Sequence, residues 1–174
     1  MIERYTLPEM GKIWTENAKF QSWLKVEIAA CKANYSLGKI PEEAFNEIRL
    51  KAKFEESRIK EIEKEVKHDV IAFLTNINEF VGDSGRYIHV GMTSSDVLDT
   101  GLSLQLKDSC QLLLEEIEKL ENEIRLLARQ HKNTLMIGRS HAIHGEPISF
   151  GFKLAGWLAE TIRDKKRLLM LKES

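Results

Sequence analysis

Five histidines punctuate this sequence, and four of them, His68, His89, His141 and His144, fall at predicted helix ends or in the connections between helices. Histidine is the side chain whose ordinary pKa, about 6.5, lets it give and take protons near neutrality. A single histidine at such a place is most often a capping or hydrogen-bonding residue, so position alone assigns none of them chemistry. Their company changes the reading. Thr93 and Ser94 follow His89 at the front of a long apolar segment, and hydroxyls with free amides at a helix start bind carboxylate or phosphate. These residues describe an anion site with acid–base histidines, and they do not name a reaction.

Two other chemistries compete for the same residues. His141 and His144, with Glu146 nearby, could hold a metal. A helical zinc site prefers histidines four apart; here the spacing is three, Gly145 and Pro147 disfavour a continuous helix, and no cysteine pair supports a structural zinc. The sequence therefore predicts no metal. Nucleophilic catalysis fares no better, because there is no G-x-S-x-G elbow and neither Cys31 nor Cys110 has a histidine near it in sequence.

The elements that position these residues read as helices. Three prolines and ten glycines leave long uninterrupted segments with helical periodicity and no convincing strand alternation. A first helical region opens at Pro8 and runs through Trp23, Val26, Ala30 and Ala33 to Leu37, where Gly38 supplies a stop. Pro41-Glu42-Glu43 begins the next helix, with acids in its first turn. The charged run from Glu55 to Lys67 has the Lys/Glu pattern of a solvated helix face. Asp69 to Val81 resumes an apolar helix that Gly82-Asp83-Ser84-Gly85 closes. Thr93 and Asp96 then stand at capping-box spacing. The helix beyond them reaches about Gln130, roughly 55 Å of rise. Leu106, Cys110, Leu113, Ile117, Leu120, Ile124 and Leu127 alternate along it at spacings of four and three, the seam of a bundle or coiled coil. Asn133 to Ser149 is a polar interruption. A last helix is predicted from about Pro147 to Lys172, with Ile148, Phe152, Ala155, Ala159 and Ile162 on one stripe. The expected fold is all-α: a small helical domain over 1–92, then the first part of a long-helix bundle over 93–174. The end at Ser174, on a basic amphipathic helix, has the look of a truncation.

Bulk properties narrow the class. An apolar fraction of 43% suits a globular core and 30% charged residues suit a solvated surface. The net charge of −1 gives no nucleic-acid footprint, and no stretch approaches the roughly 20 apolar residues of a membrane span. The start, Met1-Ile2-Glu3-Arg4-Tyr5, lacks the layout of a secretory leader. Two cysteines inside helical runs read as reduced, buried thiols, so a cytoplasmic protein is expected.

Four motifs, in order along the whole chain, resemble the fumarase/aspartase superfamily and within it the adenylosuccinate lyases. Ile2-Glu3-Arg4-Tyr5 resembles the family's start, whose Arg-Tyr pair contacts the nucleotide phosphate. Lys67-His68-Asp69-Val70 resembles an element that borders the substrate. His89-Val90-Gly91-Met92-Thr93-Ser94-Ser95-Asp96 resembles the first superfamily signature. Gly138-Arg139-Ser140-His141 followed by Gly145-Glu146-Pro147 resembles the second, with Ser140 where many relatives place Thr. The third signature, a serine-rich loop thought to supply the general base, would lie beyond Ser174.

The resemblance implies β-elimination of fumarate from adenylosuccinate and from the succinylated aminoimidazole carboxamide ribotide, with no metal or organic cofactor. It implies His141 as general acid and His68 as a catalytic support that Asp69 orients. Thr93 and Ser94 would grip a succinyl carboxylate, and Arg4 and Tyr5 the phosphate. Lys67, Asp69 and His89 would also border the substrate, while His131 and His144 would be structural. The partners implied are a small nucleotide substrate and other copies of the chain, as a homotetramer in the full-length protein, with no nucleic acid and no membrane. The competing readings are a non-catalytic helical or coiled-coil adaptor and another lyase of the superfamily, such as argininosuccinate lyase or fumarase.

Overall fold

The computed structural model describes residues 2–173, which form two compact units that divide between Leu106 and Lys107. In the first, a 3-10 turn at Glu3–Tyr5 precedes α1 (Pro8–Ile13), α2 (Glu16–Ser36), α3 (Glu42–Lys51), α4 (Glu56–Val66) and α5 (Asp69–Val81). A second 3-10 turn, Gly82–Tyr87, leads to α6 (Ser94–Gln130), whose first turns complete this unit. The single first helix expected from Pro8 to Leu37 is two helices. Thr15 makes the break: its backbone is extended, and its Oγ1 accepts a hydrogen bond from the Ala18 amide at 3.1 Å. That satisfies one of the amides a helix start leaves open. Gly38, at φ 71°, ends α2 as its position predicts.

The core of this unit is built on aromatics. Phe73 stacks on Phe20 at 5.6 Å between centroids and meets the edge of Trp23 at 5.4 Å. Ile48, Ile59, Ile77, Val70 and Val97 close around them, each 1% exposed or less. A Cβ on Gly101 would stand 2.7 Å from Trp23 Cδ1, so only glycine lets α6 approach the indole this closely. Gln105 on α6 donates to the Ile13 carbonyl at 2.7 Å and so ties down the end of α1.

The second unit contains the rest of α6, a hairpin of β1 (Leu135–Ser140) and β2 (Ile143–Ser149), and α7 (Phe150–Glu173). α7 runs antiparallel to α6: Lys165 reaches Glu121 at 3.4 Å, and Lys172 donates to Gln111. A Cβ on Gly151 would lie 2.5 Å from the Ala128 carbonyl oxygen, so glycine permits the close start of this pairing. The hairpin departs from the expected polar loop, and it also delays the last helix from Pro147 to Phe150. The buried face of α7 differs from the predicted stripe too. Gly151, Leu154 and Thr161 face inward, whereas Ile148 belongs to β2 and Phe152 is 71% exposed.

The α6 seam divides in two. Its Cys110 and Ile124 are buried, as is Leu114 outside the predicted seam, while Leu106, Leu113, Leu120 and Leu127, each seven residues from the next, are 40–51% exposed. No helix among the described residues is long and apolar enough to cross a membrane.

Candidate active site

Lys67 and His68 are the whole corner between α4 and α5. Lys67 caps α4 in the left-handed region, at φ 56°, and exposes its side chain. His68 is the N-cap of α5, its Nδ1 lying 3.4 Å from the Ile71 amide and 3.4 Å from Asp69 Oδ1. When Nδ1 accepts from the amide, the ring proton sits on Nε2, the nitrogen turned away from the cap. Asp69 Oδ1 also accepts from the Val70 amide at 2.8 Å, so Asp69 is itself held beside the ring. A half-exposed imidazole with a fixed tautomer can orient a ligand or a second acid.

The segment before α6 is shaped by its backbone. His89 has φ 65° and Gly91 φ 80°, and the Met92 amide closes the turn on the His89 carbonyl at 3.3 Å. A non-glycine residue in the left-handed region is uncommon, and such positions gather at functional sites. His89 Nδ1 lies 2.7 Å from Glu27 Oε1, and Glu27 is 1% exposed. Burial pushes the Glu27 carboxyl above the usual carboxylate range, against the opposing pull of His89.

Thr93 and Ser94 open α6, but the capping box is half-formed. Asp96 Oδ2 accepts from the Thr93 amide at 2.8 Å, whereas the Asp96 amide goes to the Thr93 carbonyl rather than to its hydroxyl. Among the described residues neither Oγ forms a hydrogen bond, which leaves two hydroxyls at a helix start for an anion. Arg4 and Tyr5 lie in the first 3-10 turn, the guanidinium 4.7 Å above the ring of a Tyr5 that is 74% exposed. Among the described residues no hydrogen bond or ion pair joins Arg4, His68, His89 or Thr93 to one another. The structure gathers them into one unit, each with its own neighbour: Arg4 with Tyr5, His68 with Asp69, His89 with Glu27 and Thr93 with Asp96.

His141 belongs to the second unit. Ser140 pairs with Ile143, so His141 and Ala142 alone turn the hairpin, at φ 50° and 62°. Two successive positive φ values are what a two-residue I′ turn demands, normally of Asn-Gly. Here the strain falls on a histidine, which is exposed and makes no side-chain hydrogen bond among the described residues. The register slips by one residue between Ile137 and Arg139. At the slip a Cβ on Gly138 would meet the Glu146 carbonyl oxygen at 2.8 Å, so the bulge requires glycine there. The turn thus displays one imidazole at a tip. His144 pairs with Arg139 across the ladder and is exposed, whereas His131 contacts Thr134 at 3.2 Å and Phe150 at 5.1 Å. Among the described residues no group of three or more His, Cys, Asp or Glu side chains is arranged to hold a metal.

Glu27 is the residue that sequence reasoning missed. Its signal was an acid on a buried stripe, seven residues after Phe20 and four before Cys31.

A family model described as lyase matches residues 3–174. The adenylosuccinate lyase of Synechocystis sp. is 64% identical over 174 residues, covering 100% of this chain and 40% of that protein. The adenylosuccinate lyase of Aquifex aeolicus is 50% identical over 177 residues, with the same two coverages. Among solved structures, the fumarate lyase from Mesorhizobium sp. BNC1 superposes with a TM-score of 0.87 at 30% identity, covering 92% of this chain and 39% of that one. The chain spans about 40% of the length of the curated relatives it matches.

Proposed function

This chain belongs to the lyase family, and from that premise we propose that it is the N-terminal part of an adenylosuccinate lyase. The reaction is β-elimination: a base removes the proton next to a carboxylate of the succinyl arm, the carbon–nitrogen bond breaks, and fumarate leaves. Adenylosuccinate gives AMP, and the succinylated aminoimidazole carboxamide ribotide gives its free carboxamide. The observation that carries the reading is the match to proteins of that name across the whole chain, at 64% and 50% identity.

The roles follow from what each group can do. The departing nitrogen must be protonated as its bond breaks, and a displayed imidazole such as His141 is suited to general acid work. His68, whose Nδ1 accepts at the α5 cap so that Nε2 carries the proton, is the catalytic support, with Asp69 beside it. Thr93 and Ser94 offer hydroxyls to a carboxylate, where charge builds in the transition state. Arg4 with Tyr5 takes the phosphate, since a guanidinium presents paired donors. Lys67, Asp69 and His89 border the nucleotide. The elimination needs neither metal nor organic cofactor. The domains assigned are 1–92 and 93–174, and the whole protein is a cytosolic homotetramer. The leucines exposed every seventh residue along α6 support that assembly, because a helix apolar on two sides needs a second partner.

Fumarate release by the full-length protein, followed by absorbance with adenylosuccinate as substrate, tests the proposal. Turnover of adenylosuccinate, together with a thermal shift caused by AMP and not by fumarate alone, is expected. Turnover of argininosuccinate or malate instead would transfer the chain to another lyase, and neither turnover nor shift would favour the adaptor.

A further inference from the structure

One face of α2 grips the loop that precedes α6. Glu27, Cys31 and Asn34 stand at i, i+4 and i+7, so they share a helix face. Each takes hold of a different residue in the loop. Glu27 Oε1 meets His89 Nδ1 at 2.7 Å, Cys31 Sγ donates to the Tyr87 carbonyl at 3.7 Å, and Asn34 Nδ2 donates to the Val90 carbonyl at 3.4 Å. The Cys31 thiol is pushed up to about 11, by burial first and then by the charge of Glu27, so it acts here as a neutral donor.

The Glu27 side chain is the anomaly of the three. It is 1% exposed, and its Oε2 is buried with no hydrogen-bond partner among the described residues. A carboxylate half-satisfied in a core is costly, and an apolar residue of the same size would serve packing better. Its one bond goes to a histidine whose backbone is held at φ 65° and whose side chain keeps 22% of its surface exposed. With Nδ1 engaged by Glu27, Nε2 is the ring nitrogen left for a ligand.

We infer that Glu27 is a positioning residue: its carboxylate accepts a hydrogen bond from the Nδ1–H of His89, fixing the ring and its tautomer so that Nε2 is the nitrogen presented to the nucleotide. This rests on the placement of His89 beside the substrate proposed above. A purely structural pair would have no need of the strained backbone or of the partly exposed ring. Such buried acid–histidine pairs set which ring nitrogen is available for function.

Two measurements test it. Long-range proton–nitrogen correlation spectra of the 174-residue chain read the tautomer without any substitution. A neutral His89 protonated at Nδ1 is expected; a proton on Nε2, with a protonated Glu27 donating to a bare Nδ1, overturns the inference. In the full-length protein, Glu27→Met fills the same volume without an acceptor. It should raise KM on the order of tenfold, the loss of one charge-assisted contact, with kcat less affected. The rise should vanish in a His89→Ala background. An unchanged KM, or an equal rise in that background, contradicts the inference. Should Glu27→Met fail to fold, the wild-type tautomer still decides. Should the wild-type protein not release fumarate from adenylosuccinate, the proposed function fails while the tautomer stands as a separate answer.

Discussion

Two histidines of this chain are displayed by opposite means. His89 is clamped from below: a helix face grips its loop, and a buried carboxylate holds one side of its ring. His141 stands at the tip of a two-residue turn in which it and Ala142 both take positive φ, and among the described residues no side chain hydrogen-bonds its ring. The surroundings match. The unit around His89 closes over Phe73, Phe20 and Trp23, whereas the unit around His141 buries Cys110, Leu114, Ile124 and Leu154 and leaves Phe152, Leu120 and Met170 exposed. A ring clamped by side chains suits binding, which needs a fixed direction. A ring on a strained turn suits proton transfer, which needs access to the reacting atoms once the rest of the site surrounds it.

Substitutions can break that contrast. Phe73→Ala removes a fully buried ring at the centre of the first unit and should destabilise it by about 3–5 kcal/mol. Urea unfolding followed by tryptophan fluorescence reads this, and a loss below about 1 kcal/mol would mean that the aromatic cluster does not hold the unit together. Leu120→Ala, at a side chain 51% exposed, should change the stability of this chain by no more than about 0.5 kcal/mol. Its effect should appear in self-association, which light scattering would show weakened, because the side chain belongs to the uncovered leucine row. A large stability loss with unchanged association would place Leu120 in a core this account leaves open.

Much of this was legible in the sequence, for reasons that differ by element. The bounds of α5, Asp69 to Val81, and the end of α6 at Gln130 follow from apolar periodicity and from the polar stops that flank it. The hairpin was hidden. Its turn is His-Ala rather than Asn-Gly, Pro147 sits inside a strand, and residues 139–147 are exposed, so no alternation marks them. The α7 face was misassigned for a related reason. Its inward side uses Gly151 and Thr161, which an apolar count passes over, while Phe152 points outward. Glu27 escaped because a charge inside an apolar helix reads as solvated until its burial is seen.

The proposed reaction turns on His141 as the acid that protonates the departing nitrogen. Steady-state kinetics of fumarate release by the full-length protein and by two variants test this most directly. His141→Ala should lower kcat by at least about 10²-fold, with substrate binding much less affected, because the acid acts in the transition state. His144→Ala, on the neighbouring strand, should leave kcat within a few-fold of wild type. A His141→Ala enzyme that turns over at the wild-type rate, beside a His144→Ala enzyme that does not, would contradict the assignment.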